Sequence, residues 1–139
     1  MSNLRLSTTA VIDALDAITV LLNSGGYIEL RTGAPPATCE TADSGTLLAT
    51  CNLSATAFGA ASDGTDKATA VANAISADTS ADNDGAIGHF RAKTSGGSCV
   101  IQGDCSLTGL GGDMQFTTLD VTTGDNVSIS GWTLNIPEA

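Results

Sequence analysis

The stretch from Ser7 to Gly26 constrains this chain more than any other. Val11, Leu15, Ile18 and Leu22 recur at spacings of four, three and four, the apolar seam of an amphipathic helix. Ser7 or Thr8 can cap its start, because a side-chain oxygen there accepts an early backbone N–H. Asp13 and Asp16 lie in the N-terminal half, on the favourable side of the helix dipole. Asn23-Ser24-Gly25-Gly26 ends it, since glycine closes a helix in a left-handed conformation without steric cost. Beyond Gly26 the sequence reads as short strands and turns. A single apolar helix with no helical partner must lie on a sheet or meet copies of itself.

The strands follow from alternation. Tyr27 to Thr32 sets Ile28 and Leu30 against Glu29 and Arg31, and Gly33-Ala34-Pro35-Pro36 stops it. A polar loop, residues 37–45, carries Cys39. Thr46 to Leu53 places Cys51 on the face of Leu47 and Leu53. Ser62 to Lys67 reads as a loop, Ala68 to Ile75 as a strand in preference to a helix, and residues 76–85 as an acidic loop. Ile87 to Lys93 sets Phe90 on one face and His89 and Arg91 on the other. Ser98 to Leu107 follows, interrupted at Gly103-Asp104, and Met114, Phe116, Leu119 and Val121 mark one or two more strands. Val127 and Ile129 differ in parity from Trp132, Leu134 and Ile136, so a bend at Ser130-Gly131 is expected to re-aim the chain into one core. Seven or eight strands at this spacing predict a mainly β fold, a β-sandwich or jelly-roll-like domain (27–139), preceded by an N-terminal arm and amphipathic α-helix (1–26).

The 139 residues suit one domain. A net charge of −10 with only five cations, Arg5, Arg31, Lys67, Arg91 and Lys93, offers no basic patch for nucleic acid. The N-terminus lacks the pattern of a signal peptide, and the helix is too short and too acidic to span a bilayer. Production in a cytosol without export by the usual route is the expectation.

Cys39, Cys51, Cys99 and Cys105 allow three pairings. Disulfides rank ahead of buried free thiols, and zinc comes last, because the spacings of Cys39 to Cys51 and of Cys99 to Cys105 match no close-paired ligand pattern. Disulfides without export suit a particle that assembles inside a cell and oxidises after release. Pairs within a chain and between chains both stay open.

No catalytic constellation stands out. His89 is the one histidine, in mid-strand, and there is no G-x-S-x-G elbow. The aspartates fall mostly in turns, where their side chains bond nearby backbone N–H groups. Asp82-Asn83-Asp84-Gly85, aligned to a calcium loop by its glycine, puts Ser80 and Arg91 where carboxylates belong. Gly109-Leu110-Gly111-Gly112 lacks the lysine of a phosphate loop. The sequons at Asn52 and Asn126 read as chance. No cofactor and no metal are expected. A carbohydrate-binding or adhesion sandwich is the alternative class, with Tyr27 and Trp132 the available aromatic platform; a small hydrolase ranks last.

The order of segments is also informative. A helix that begins with Thr-Ala and ends in Gly-Gly leads into YIELRTGAPPAT, then SGTLLATCNLS, AFGAA, ATAVANAISADTSADNDGAIGHFRAK and a closing VSISGWTLNIPEA. This pattern, over about residues 8–139, resembles a family of small virion structural proteins of tailed bacteriophages, usually found among head and neck genes. Its most specific pieces are the RTGAPP turn and the GTLLAT and IGHFRA strands. The resemblance implies an architectural role, as a neck or collar spike or a capsid decoration protein, and carries over no catalytic residue. It also implies that Cys51, Cys99 and Cys105 stand where small or β-branched residues are usual, which points to a particle reinforced by disulfides. A homotrimer is expected, joined through Val11, Leu15, Ile18 and Leu22 and placed among other virion proteins of the head or neck.

Overall fold

The computed structural model describes residues 3–139. Helix α1 (Thr8–Thr19) starts at Ser7, whose hydroxyl accepts the Ala10 N–H at 3.2 Å. It tightens into a 3₁₀ turn at Val20–Leu22 and ends where Ser24 and Gly25 adopt positive φ. Nine strands follow among the described residues: β1 (Tyr27–Thr32), β2 (Leu47–Asn52), β3 (Ser62–Gly64), β4 (Lys67–Val71), β5 (Gly85–Lys93), β6 (Cys99–Leu107), β7 (Met114–Phe116), β8 (Asp120–Val121) and β9 (Thr133–Pro137). The larger sheet runs β2-β1-β5-β6-β7, with β8 on β5; the smaller runs β3-β4-β9. All pairings are antiparallel except β6 with β7. The fold is mainly β and sandwich-like, with one N-terminal helix.

The core lies between the sheets. Ile28 and Leu30 of β1, Ala49 and Cys51 of β2, and Phe90 and Ala92 of β5 sit opposite one another in register on one face of the larger sheet, all buried. Trp132 bridges inward, edge-on to Phe58 (5.2 Å between ring centres) and to Phe90 (5.3 Å). Edge-to-face rings of this kind bring the positive rim of one to the negative face of the next. Val127, Ile129 and Trp132 are all buried, so the chain does re-aim its side chains around Ser130-Gly131.

The helix takes the first of its two options and lies on its own sheet. Val11, Leu15 and Leu22 are fully buried in the same core, on the side of β4 and β9. In the protomer the expected interface residues Val11, Leu15 and Leu22 are thus covered by their own strands. Ile18 is half-buried and outside the core, and Thr19 takes its place in the stripe. Two polar contacts fix the seating: Asp16 Oδ1 accepts the Ala61 N–H at 2.8 Å, and the Thr8 hydroxyl donates to Glu138 Oε1 at 2.9 Å.

Three strand readings also change. Ser62–Gly64 is a strand paired with β4, since Asp66, at positive φ, permits a tight hairpin. Gly103-Asp104 does not interrupt β6; the irregularity falls between Ala92 and Lys93 on β5, opposite Ile101 and Cys99. The C-terminal strand begins only at Thr133, because Val127 pairs with Asp78 instead.

Candidate functional site

Alternation sends the other residues of β1 and β5 to the far face of the larger sheet. There Glu29 stands opposite Arg91 and Arg31 opposite His89 in register, with Lys93 at the end of β5. A sheet face bearing so many charges normally meets water. Here Glu29, His89, Arg91 and Lys93 are all buried, because the segment 33–46 crosses the face as a strap.

The strap is held along its length. His89 Nδ1 is hydrogen-bonded to the Gly33 carbonyl at 2.9 Å, Gln102 Nε2 donates to the Pro36 carbonyl at 2.7 Å, and the Arg91 guanidinium donates to the Cys39 carbonyl at 2.6 Å. Gly88 must be glycine for the strap to leave β1, since a Cβ there would collide with the Gly33 backbone. The central tie is Asp43. Its carboxylate meets Arg91 at 2.5 Å, Lys93 at 2.7 Å and Arg31 at 3.2 Å. Glu29 completes the set, at 2.7 Å from Arg31 and 3.1 Å from Lys93.

Three of the chain's five cations are thus gathered by the fold, although they are far apart in sequence. They do not form a basic patch, because each faces a carboxylate. The electrostatics follow from that pairing. Burial alone would raise the Asp43 carboxyl, but the Lys93 hydrogen bond and the Arg31 and Arg91 charges hold it below the usual carboxylate range. Burial likewise opposes the Lys93 charge, and Asp43 and Glu29 outweigh it, so Lys93 is raised. Arg91 is raised by Cys99 and Asp43 against the same burial penalty. Removing one member of such a cluster is costly, because it leaves buried charges without their partner.

Beside the cluster lie Cys39, on the strap, and Cys99, at the start of β6. Their sulfurs are 2.9 Å apart. Both are half-buried and line a cleft of about 490 Å³ with Glu40, Asp43, Gly97 and Ser98. Burial, followed by the hydrogen bond and charge of Cys99, pushes the Cys39 thiol up to about 11. The other two cysteines stand apart. Cys51 is fully buried under the Val127 carbonyl, 3.6 Å from its sulfur, and burial raises its thiol. Cys105 pairs in register with Met114; burial and then the Asp104 and Asp113 carboxylates push it up to about 12. All four are thiols in the structure.

His89 is sealed beneath the strap, its Nε2 buried without a hydrogen-bond partner and its Nδ1 occupied by Gly33. No group of three or more His, Cys, Asp or Glu side chains among the described residues is placed to hold a metal ion. Trp132 is a core residue and Tyr27 is half-buried, so they form no exposed aromatic platform. The Cys39–Cys99 dithiol is open to the cleft. Comparison with protein families, with curated proteins and with solved structures finds no match to the chain.

Proposed function

We propose that the protein is a non-catalytic structural component of a tailed-bacteriophage virion, at the neck or collar or on the capsid surface, assembled in the host cytoplasm as a homotrimer beside other head or neck proteins. The observation that carries this reading is the place of the residues that bear the resemblance. The RTGAPP segment ends β1 and starts the strap, while GTLLAT and IGHFRA lie in β2 and β5, the two neighbours of β1. Many of their side chains are occupied with one another: Leu48, Ala49 and Phe90 in the core, Arg31, His89 and Arg91 under the strap. Segments used in this way build a rigid body.

The trimer rests on analogy with surface proteins of virions. On the 3₁₀ turn that ends the helix, Val20 and Leu21 are large apolar side chains left outside, each more than half exposed. Mass spectrometry of purified particles, with a density map of the intact virion, tests the assignment. The chain is expected at a fixed copy number near the portal or across the capsid, and its absence from particles would overturn the reading. Static light scattering of the purified protein is expected to give three times the chain mass; a monomer would remove the trimer.

A further inference from the structure

We propose that Cys39 and Cys99 close into an intrachain disulfide that locks the strap over the charge cluster, while Cys51 and Cys105 remain thiols. The bond itself stands on geometry alone; its timing, after release of particles from the reducing cytosol, rests on the virion reading.

The geometry leaves one pair. The Cys39 and Cys99 sulfurs are already in contact, at 2.9 Å. Cys51 and Cys105 lie on β2 and β6, with β1 and β5 between them. Three interstrand steps of about 4.8 Å place them roughly 14 Å apart, far beyond what a disulfide spans. Cys99 and Cys105 share one strand, six residues apart, a separation of about 20 Å. Cys51 is fully enclosed and faces the core, away from the strap.

The cleft gives an oxidant access, and a low-molecular-weight disulfide such as oxidised glutathione meets the chemistry. A thiolate of the pair attacks one glutathione sulfur, breaks the glutathione disulfide and releases one glutathione thiolate. The second protein thiolate attacks the protein sulfur of the mixed disulfide, forms the Cys39–Cys99 bond and expels the other glutathione. Two protein thiols lose two electrons and two protons, and glutathione disulfide gains both. The lock acts on the strap because the strap carries Asp43, the one carboxylate that touches Arg31, Arg91 and Lys93 together.

The test uses the full chain, purified reduced and equilibrated with an excess of oxidised over reduced glutathione. It is then denatured, alkylated and cut with a protease specific for the amino side of aspartate. Cleavage at Asp43 and Asp104 separates Cys39 from Cys51 and Cys99 from Cys105. The expected result is a single linkage between the Cys39 and Cys99 peptides, with Cys51 and Cys105 fully alkylated. The Cys51→Ala/Cys105→Ser double variant is expected to keep the linkage, and Cys99→Ser to lose it without forming another. Four alkylated thiols, a linkage that includes Cys51 or Cys105, or a bond between two chains would each overturn the proposal. If the linkage forms in the purified chain but the chain is absent from particles, the bond stands and the virion reading falls.

Discussion

Asp43 is the residue on which the strap depends. Its carboxylate meets three cations, two of them in buried side chains, and no other strap residue reaches more than one of them. Asp43→Ala leaves Arg31 and Lys93 with Glu29 and leaves Arg91 without a carboxylate partner. Because Asp43 is itself about one-third exposed, the loss is expected at about 2 kcal/mol, below the cost of breaking a fully buried pair, and urea unfolding measures it. The pH dependence has a defined sign. A carboxyl held lower in the folded than in the unfolded chain contributes stability above its ordinary value of 3.8, which is lost as pH falls through the folded value. Acid unfolding in the wild type is thus expected to include an Asp43 component that Asp43→Ala lacks. Cys39 works at the other end of the scale. Its thiol stays protonated in the folded chain up to about 11, whereas the unfolded thiol ionises near 9, so the reduced protein loses stability as pH rises between those values. The oxidised protein has no such thiol and is expected to show a shallower loss over the same window, measured by urea midpoints at matched pH.

At the scale of elements, the helix shows what periodicity can and cannot deliver. The recurrence of Val11, Leu15, Ile18 and Leu22 defines the element, and all but Ile18 belong to its buried stripe. It could not name the partner, because a sheet and a second helix ask for the same apolar side chains. The consequence is testable. Leu15→Ala is expected to cost about 3 kcal/mol in protomer stability, the usual scale for a buried leucine, with no change in the oligomeric state of the molecules that remain folded. Leu15→Asp is expected to unfold the protomer rather than dissociate an assembly, read by circular dichroism beside light scattering. Alternation served the strands in the same way: Glu29 and Arg31 were legible as one face, and His89 and Arg91 as another. That these two faces are a single surface depends on β1 lying beside β5, and that pairing has no local signature. The strap was legible only as a polar loop, since its ties to Gln102, Arg91 and Lys93 all reach across more than forty residues. Asp43 sits in that loop, and its partners Arg91 and Lys93 lie about fifty residues away in sequence, beyond the reach of any local pattern. Cys39 and Cys99 were both named as disulfide candidates, but spacing alone could not separate them from Cys51 and Cys105.

The whole molecule behaves as two layers with a clasp on the outside of one. Closing Cys39 to Cys99 ties a loop of 60 residues. In the chain-entropy account a loop of that length is worth about 4 kcal/mol, which for a domain of this size raises Tm by roughly 10 °C. Calorimetry of the oxidised and reduced forms is expected to show that difference, and Cys99→Ser to show none on adding reductant. The same clasp sets an order of events in folding. The strap leaves the ribosome soon after β1, yet the groups that hold it, Arg91, Lys93, Cys99 and Gln102, come much later in the chain. During synthesis the strap therefore lacks most of its ties, and its contacts with β1, such as Asp43 with Arg31, are the ones available first. Non-local docking of this kind comes late. In hydrogen exchange the amides of residues 37–45 should open before those of β1 and β5, so that the last segment to settle is the first to lift.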